Sequence, residues 1–312
     1  MADGSEQKSL PIYTVDAFAS APFTGNSAAV CPISSAEEDI PDDLKYQIAM
    51  EMNISETAFV HPAKSGETFQ NASEFNLRWF TPTNEVKLCG HATMATATTI
   101  FRALGNEGSE LRFNTLSGQL VAKRDGQLIT LNLPVNPCGP KGDDVGEKLE
   151  EGSPENLDGL IQEALCGIKP LDLQHAPGAN VELIMRLPDE GGRASLEGLT
   201  PNISKFMSHH NTGEVKGVIV TVKANGEVNE DGTPYDFFSR YFAPWNGIPE
   251  DPVTGAAHTV LSDYWSRVLG KQELFARQCS KRGGDVRIRL LGDNRVELAG
   301  KAALVIQGKI NI

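Results

Sequence analysis

The chain aligns with itself once, at an offset of 160 to 166 residues, and this internal repeat restricts the fold more than any other feature. Pro41-x-x-x-Lys45-Tyr46 recurs as Pro201-x-x-x-Lys205-Phe206. Arg78-Trp79-Phe80-Thr81-Pro82-x-Asn84 recurs as Arg240-Tyr241-Phe242-Ala243-Pro244-x-Asn246. Gly90 and Gly105 bracket a fourteen-residue Ala/Thr-rich segment, Gly255 and Gly270 bracket another, and each fits about four turns of helix. A glycine-led hairpin follows each helix, from Gly118 to Gly126 with an Asp125-Gly126 turn signal and from Gly284 to Gly292. Four matches in one order predict two similarly folded halves.

Runs rich in Val, Ile and Thr at 12–18, 120–133 and 217–223, with one apolar helix per half, predict an α+β class without regular βαβ alternation. Residues 1–140 are assigned to the first half and 157–301 to the second. The acidic, Gly/Pro-containing stretch 141–156 between them reads as a solvent-exposed linker. The apolar run 302–306 has no counterpart before that linker, and 302–312 is expected to supply a strand that crosses back to the first half.

Composition narrows the functional classes. With 28 Lys+Arg against 41 Asp+Glu the net charge is −13, which removes any whole-surface attraction to phosphate backbones, so nucleic acid is not an expected partner. Five cysteines (Cys31, Cys89, Cys138, Cys166, Cys279), odd in number and nowhere spaced as C-x-x-C, predict a reducing compartment. A polar N-terminus and the lack of any apolar run near ~18 residues predict a soluble cytoplasmic protein that does not engage a membrane. There is no G-x-x-x-x-G-K-[ST] loop and no H-E-x-x-H, and the adjacent His209 and His210 do not face one ion from a helix. No metal and no cofactor are therefore expected.

The candidate chemistry lies at the two helix starts, Cys89-Gly90-His91-Ala92-Thr93 and Asp251-Pro252-Val253-Thr254-Gly255-Ala256-Ala257. A helix N-terminus offers unpaired N–H groups and the positive end of its dipole, so it seats a carboxylate or phosphate. If the halves pack about a pseudo-twofold axis, both starts face one shared cleft; ordinary capping of two buried helices is the competing reading. Glu56 enters the apolar run Thr57 to Val60, where desolvation is expected to raise its pKa as suits an acid/base, unless it is an edge carboxylate in solvent. Its counterpart at offset 160 is Lys216. His91 reads as a proton relay or substrate donor, or as a buried hydrogen-bonded histidine, and Asp251 as an anionic site residue or a plain helix cap. Two opposed thiols would make a racemase, but the partner of Cys89 at offset 165 is Thr254, whose hydroxyl is far too weak an acid for that role.

Asp16-Ala17-Phe18 with Phe23-Thr24-Gly25-Asn26, Ser55-Glu56-Thr57-Ala58-Phe59-Val60, Arg78-Trp79-Phe80-Thr81-Pro82, Gly90-His91-Ala92-Thr93 and Glu250-Asp251-Pro252-Val253-Thr254-Gly255 together carry a specific resemblance. Nearly end to end, the chain resembles the PhzF-like family of phenazine biosynthesis, in particular its animal MAWD-binding or phenazine biosynthesis-like domain-containing members. The resemblance implies the diaminopimelate-epimerase-like fold, with strands curled around a central helix in each half and the active site between them. It implies a cofactor-free isomerase with Glu56 as acid/base, His91 and Asp251 as its catalytic companions, and Gly90, Gly255, Ala256 and Asn26 around the substrate. It also implies a homodimer. Ala256 stands where the phenazine enzyme has a serine, so the expected substrate is another small cyclic or amino-acid-derived carboxylate. Two further readings stand beside this one: a protein-binding scaffold for a WD-repeat type partner, as the name MAWD-binding implies, and an epimerase with Cys89 as one base.

Overall fold

Alternating and β-branched runs form most of the strands in the structure, a computed structural model that describes residues 8–34, 40–140, 157–177 and 181–312. The stretch 141–156, read as a linker, lies outside the described residues. In chain order the elements are β1 Ser9–Ala17, β2 Asn26–Pro32, α1 Asp42–Met52, β3 Glu56–Pro62, β4 Glu74–Phe80, β5 Glu85–Val86, α2 Gly90–Thr98, β6 Glu110–Thr115, β7 Gly118–Asp125, β8 Leu128–Pro134 and β9 Gly139–Pro140. They continue with α3 Leu157–Leu165, β10 Asp172–Ala176, β11 Glu182–Arg186, α4 Gly192–Glu197, α5 Phe206–His209, β12 Gly217–Lys223, β13 Phe237–Ala243, β14 Ile248–Asp251, α6 Gly255–Leu269, β15 Glu273–Gln278, β16 Gly284–Leu291, β17 Arg295–Gly300 and β18 Ala302–Asn311. These fall into two compact units, one of residues up to 132 together with 299–312 and one of residues 133–298.

The repeat is visible in how strands pair. Along β1–β2–β3–β4–β6–β7 the pairings run antiparallel, parallel, antiparallel, parallel, antiparallel. The same series recurs along β10–β11–β12–β13–β15–β16. The apolar run at 302–306 becomes the start of β18, which pairs antiparallel with β1 from Ser9↔Asn311 to Ala17↔Ala302. Asp125 closes β7 and pairs with Leu128, which opens β8, so a two-residue turn does form at the Asp-Gly signal but is made of Gly126 and Gln127, with Gly126 at φ +56° where a side chain would be strained.

Within the first unit, α2 is buried from His91 to Thr98 and meets β1, β2, β3 and β7. Small side chains let strands come this close, and the threonines do not bury idle hydroxyls: Thr93, Thr96 and Thr98 each donate to the carbonyl four residues back, at 2.6, 2.7 and 2.8 Å. The helix continues as one π-type turn over Thr99–Ala103. Within the second unit, α6 buries Trp265, whose ring stacks on Phe237 at 5.3 Å and whose Nε1 donates to Thr221 Oγ1 at 3.0 Å. Among the described residues no helix is long and apolar enough to cross a membrane.

The strongest sequence match turns out to be a clamp that aims each helix start. Arg78 on β4 grips Glu85 of β5 through Nε and Nη2, both at 2.8 Å, and Arg240 on β13 grips Glu250 of β14 at 2.7 and 3.0 Å. Each short return strand runs on into its unit's central helix. Arg240 also donates to the carbonyl oxygens of Leu199 and Leu196 at 2.8 and 3.3 Å and is nearly buried. Arg240→Lys loses the fork that makes these bonds at once and is expected to cost about 2 kcal/mol, as charge-assisted bonds of this kind do. Urea unfolding of the two proteins at pH 7 measures it, and an unchanged midpoint would refute the clamp.

Candidate active site

The first unit gathers Ser55, Glu56, Cys89 and His91. Glu56 opens β3 and is 9% exposed, because β3 lies between β2 and β4 and carries a buried face, so the edge-carboxylate reading is excluded. His91 is the second residue of α2 and Cys89 its cap position, so a single turn presents thiol and imidazole beside the strand. Nε2 of His91 lies 3.1 Å from Glu56 Oε2 and 3.1 Å from Ser55 Oγ, and Nδ1 lies 3.4 Å from Cys89 Sγ. Glu56 Oε2 is buried and faces the imidazole as an ion-pair partner. Asn26 opens β2, two residues before Ala28, the register partner of Glu56, and is buried.

The charge state corrects one expectation. Burial does pull the Glu56 pKa upward, but the positive charge of His91 and hydrogen bonding from His91, Ser55 and Cys89 outweigh it, so the carboxyl is held below its ordinary value rather than above. Burial opposes a charge on His91 as well, yet neighbouring negative charge at Cys89 and Glu56 raises its pKa well above the ordinary value. Burial and the Glu56 charge push the Cys89 pKa up and favour its thiol form. The lowered Glu56 pKa and the raised His91 pKa both favour a carboxylate–imidazolium pair.

The second unit holds Asp251, Gly255 and Ala256 at the start of α6. Asp251 is not a helix cap. Its carboxylate accepts a short hydrogen bond from Thr254 Oγ1, and neither central helix has a side-chain cap. Gln278, fully buried, fixes the approach by donating to the Asp251 carbonyl at 2.7 Å and accepting from the Thr254 N–H at 2.8 Å. Gly255 is the first helical residue and Ala256 the half-buried second.

Sequence reasoning missed Glu182, the first residue of β11. It is 1% exposed, its Oε1 has no hydrogen-bond partner, and Asn136 Nδ2 donates to Oε2 at 3.4 Å. Burial pushes its pKa up to about 7 against weaker opposing help from Asn136 and the Tyr241 phenol. The register partner of Glu182 is Gly217, where an added Cβ would stand 2.5 Å from Tyr241 Oη. The missing side chain there makes room for the phenol. The signal was present: Glu182 precedes an apolar Leu-Ile-Met run just as Glu56 precedes its own. The register also corrects the assignment of Lys216 as counterpart of Glu56. Thr57 faces Phe80 and Val218 faces Phe242, so the position equivalent to Glu56 is Gly217. The matching rung then carries one buried carboxyl in each unit, on β3 in the first and on β11 in the second.

A family model described as phenazine biosynthesis-like protein matches residues 15–308. A rat phenazine biosynthesis-like domain-containing protein is 47% identical over 96% of the chain and 99% of its own length. A protein of Halalkalibacterium halodurans named an uncharacterized isomerase is 39% identical over 96% and 98%. Among solved structures, a PhzC/PhzF protein of Clostridium difficile superposes with a TM-score of 0.77 at 34% identity, covering 97% of this chain and all of the other. The fold alone extends to a protein of Pseudomonas aeruginosa described as a predicted epimerase, with a TM-score of 0.65 at 16% identity over 96% and 99% of the two chains. The architecture is α+β of the epimerase-like kind.

Proposed function

The chain belongs to the phenazine biosynthesis-like protein family, and from that premise we propose that it is a cofactor-independent isomerase that shifts a proton on a small cyclic or amino-acid-derived carboxylate. The observation that carries this reading is Glu56, a buried carboxylate whose Oε2 lies 3.1 Å from the His91 imidazole. A carboxylate held ionised and out of bulk water in this way is a base poised to take a proton. It takes one from an activated carbon of the substrate, the electron pair moves into the adjoining unsaturated system, and the same carboxylic acid returns the proton to a second carbon. His91, holding its own proton, stabilises the anion formed between the two steps.

Gly90 is read as a seat for the substrate carboxylate, and Gly255 as the corresponding anion seat of the second unit, since each opens a central helix with no side-chain cap. Asn26 and Ala256 are read as substrate contacts, and Asp251 as the group that fixes the second helix start through Thr254. Cys89 is disfavoured as the base because its burial keeps it a thiol. The test is a calorimetric and thermal-shift screen of small cyclic and amino-acid carboxylates on wild type and Glu56→Gln. A ligand held by both proteins and isomerised only by wild type is the expected result. At ~100 times Kd a ligand stabilises by about 2.7 kcal/mol, so no shift from any carboxylate at millimolar concentration would overturn the reading.

A further inference from the structure

We propose that Cys89 Sγ, one imidazole nitrogen of His91 and Glu56 Oε2 form a binding site for a thiophilic divalent cation, Zn2+, whose occupancy shuts off proton transfer. The inhibitory consequence rests on the isomerase reading above; the binding itself does not. One donor atom from each of the three residues lies within 4.8 Å of the other two, and among the described residues no other trio of such side chains is so placed. Tetrahedral zinc with bonds of about 2.0 to 2.3 Å holds its donors about 3.5 Å apart, so the atoms need to close by only about 1 Å. Cys89 and His91 flank Gly90 at the start of α2, which fixes two of the three donors on one rigid turn.

The donor chemistry selects the ion. Thiolate with imidazole suits zinc and cadmium, whereas magnesium and calcium take oxygen donors. As the Zn–S bond forms, the thiol proton leaves to solvent, and the imidazolium proton leaves as its nitrogen coordinates. Thiolate and carboxylate then neutralise the dication, so the buried cluster keeps no net charge. Three protein donors leave the fourth position of a tetrahedral zinc to a further ligand, and Ser55 Oγ lies 3.1 Å from His91 Nε2. The same ion removes the base from reach of substrate and takes the nitrogen that stabilises the anion.

The experiment titrates the chelator-stripped full chain with Zn2+ against a chromophoric competitor, with Co2+ as an optical probe and Mg2+ as control, and checks each variant for folding by circular dichroism. Wild type is expected to bind one Zn2+ with submicromolar affinity, to show a thiolate-to-cobalt charge-transfer band, and to ignore Mg2+. Cys89→Ser, nearly isosteric, is expected to weaken Zn2+ by about 100-fold and abolish the band, and Glu56→Gln to weaken it by about 10-fold. Cys166→Ser removes an exposed thiol and is expected to keep both signals. Absence of binding, an unchanged affinity in Cys89→Ser or in Glu56→Gln, or loss of the band in Cys166→Ser would each overturn the proposal. Failure to bind zinc while Glu56→Gln abolishes turnover leaves the isomerase reading standing. Zinc binding with undiminished Glu56→Gln turnover removes that reading and keeps the site.

Discussion

Glu56→Gln is expected to lower turnover by about 10^3-fold, within the range for loss of a positioned general base, while the protein stays folded. The stability cost is expected to be about 1 to 2 kcal/mol at pH 7, below that of a broken buried ion pair, because His91 sheds its proton rather than remain a buried lone cation. The sign of the pH dependence follows from the two shifts. The Glu56 pKa is depressed below 4.5, so its contribution to stability is present above that value and fades as pH falls through the folded pKa. The His91 pKa is raised above 6.5, so its contribution is present below that value and is lost as pH rises through the folded pKa. The deficit of the variant is therefore largest between those limits and disappears in acid. With the carboxylate gone, burial opposes the imidazolium and the raising effect of Glu56 is lost, so the His91 midpoint followed by nitrogen NMR is expected to fall relative to wild type. An unchanged midpoint would show that Glu56 is not what holds the proton.

Glu182→Gln is expected to stabilise the protein at pH 8 by up to about 3 kcal/mol and to make little difference at pH 4. In the unfolded chain the carboxyl ionises near 4.5, in the folded chain near 7. Both states are protonated below 4.5, so nothing is at stake there. As pH rises from 4.5 to 7 the folded state must either hold a proton that the unfolded chain has released or bury a charge, and each unit of difference costs about 1.4 kcal/mol. An amide of the same shape avoids this. Urea midpoints at pH 4 and pH 8 are the measurement, and a wild type more stable than the variant at pH 8 would contradict the buried, proton-holding state of Glu182. A carboxyl that lowers stability where an amide would not points away from a purely structural role.

The architecture was legible because the residues that repeat are those that aim the helices. Arg78 and Arg240 match in sequence since both forks clamp a glutamate on the strand leading into α2 or α6. Glycines at 90 and 255 mark helix starts because both helices are buried from their first turn. What failed was register. The offset drifts between the Pro41/Pro201 and Arg78/Arg240 matches, and a one-residue slip in a strand reverses the face of every side chain. Lys216 was thereby taken for the counterpart of Glu56 in place of Gly217.

Burial of Glu56 was not legible either, since a carboxyl at the head of an apolar run is equally at home at a wet edge. Only the packing of α2 against β3 puts His91 beside it and turns an expected raised pKa into a lowered one. Glu182 carried the same sequence signal, but nothing in the repeat pairs it with Glu56, because the two carboxyls occupy opposite strands of the matching rung.

The central claim is that Glu56 moves a proton to and from carbon. Solvent exchange reads this directly: wild type and Glu56→Gln are incubated in D2O with each small carboxylate that binds, and the recovered ligand is analysed for carbon-bound deuterium by mass spectrometry and NMR. Deuterium is expected at one or two carbons of at least one ligand with wild type, and none above background with Glu56→Gln. Exchange at the same rate in both proteins would contradict that claim.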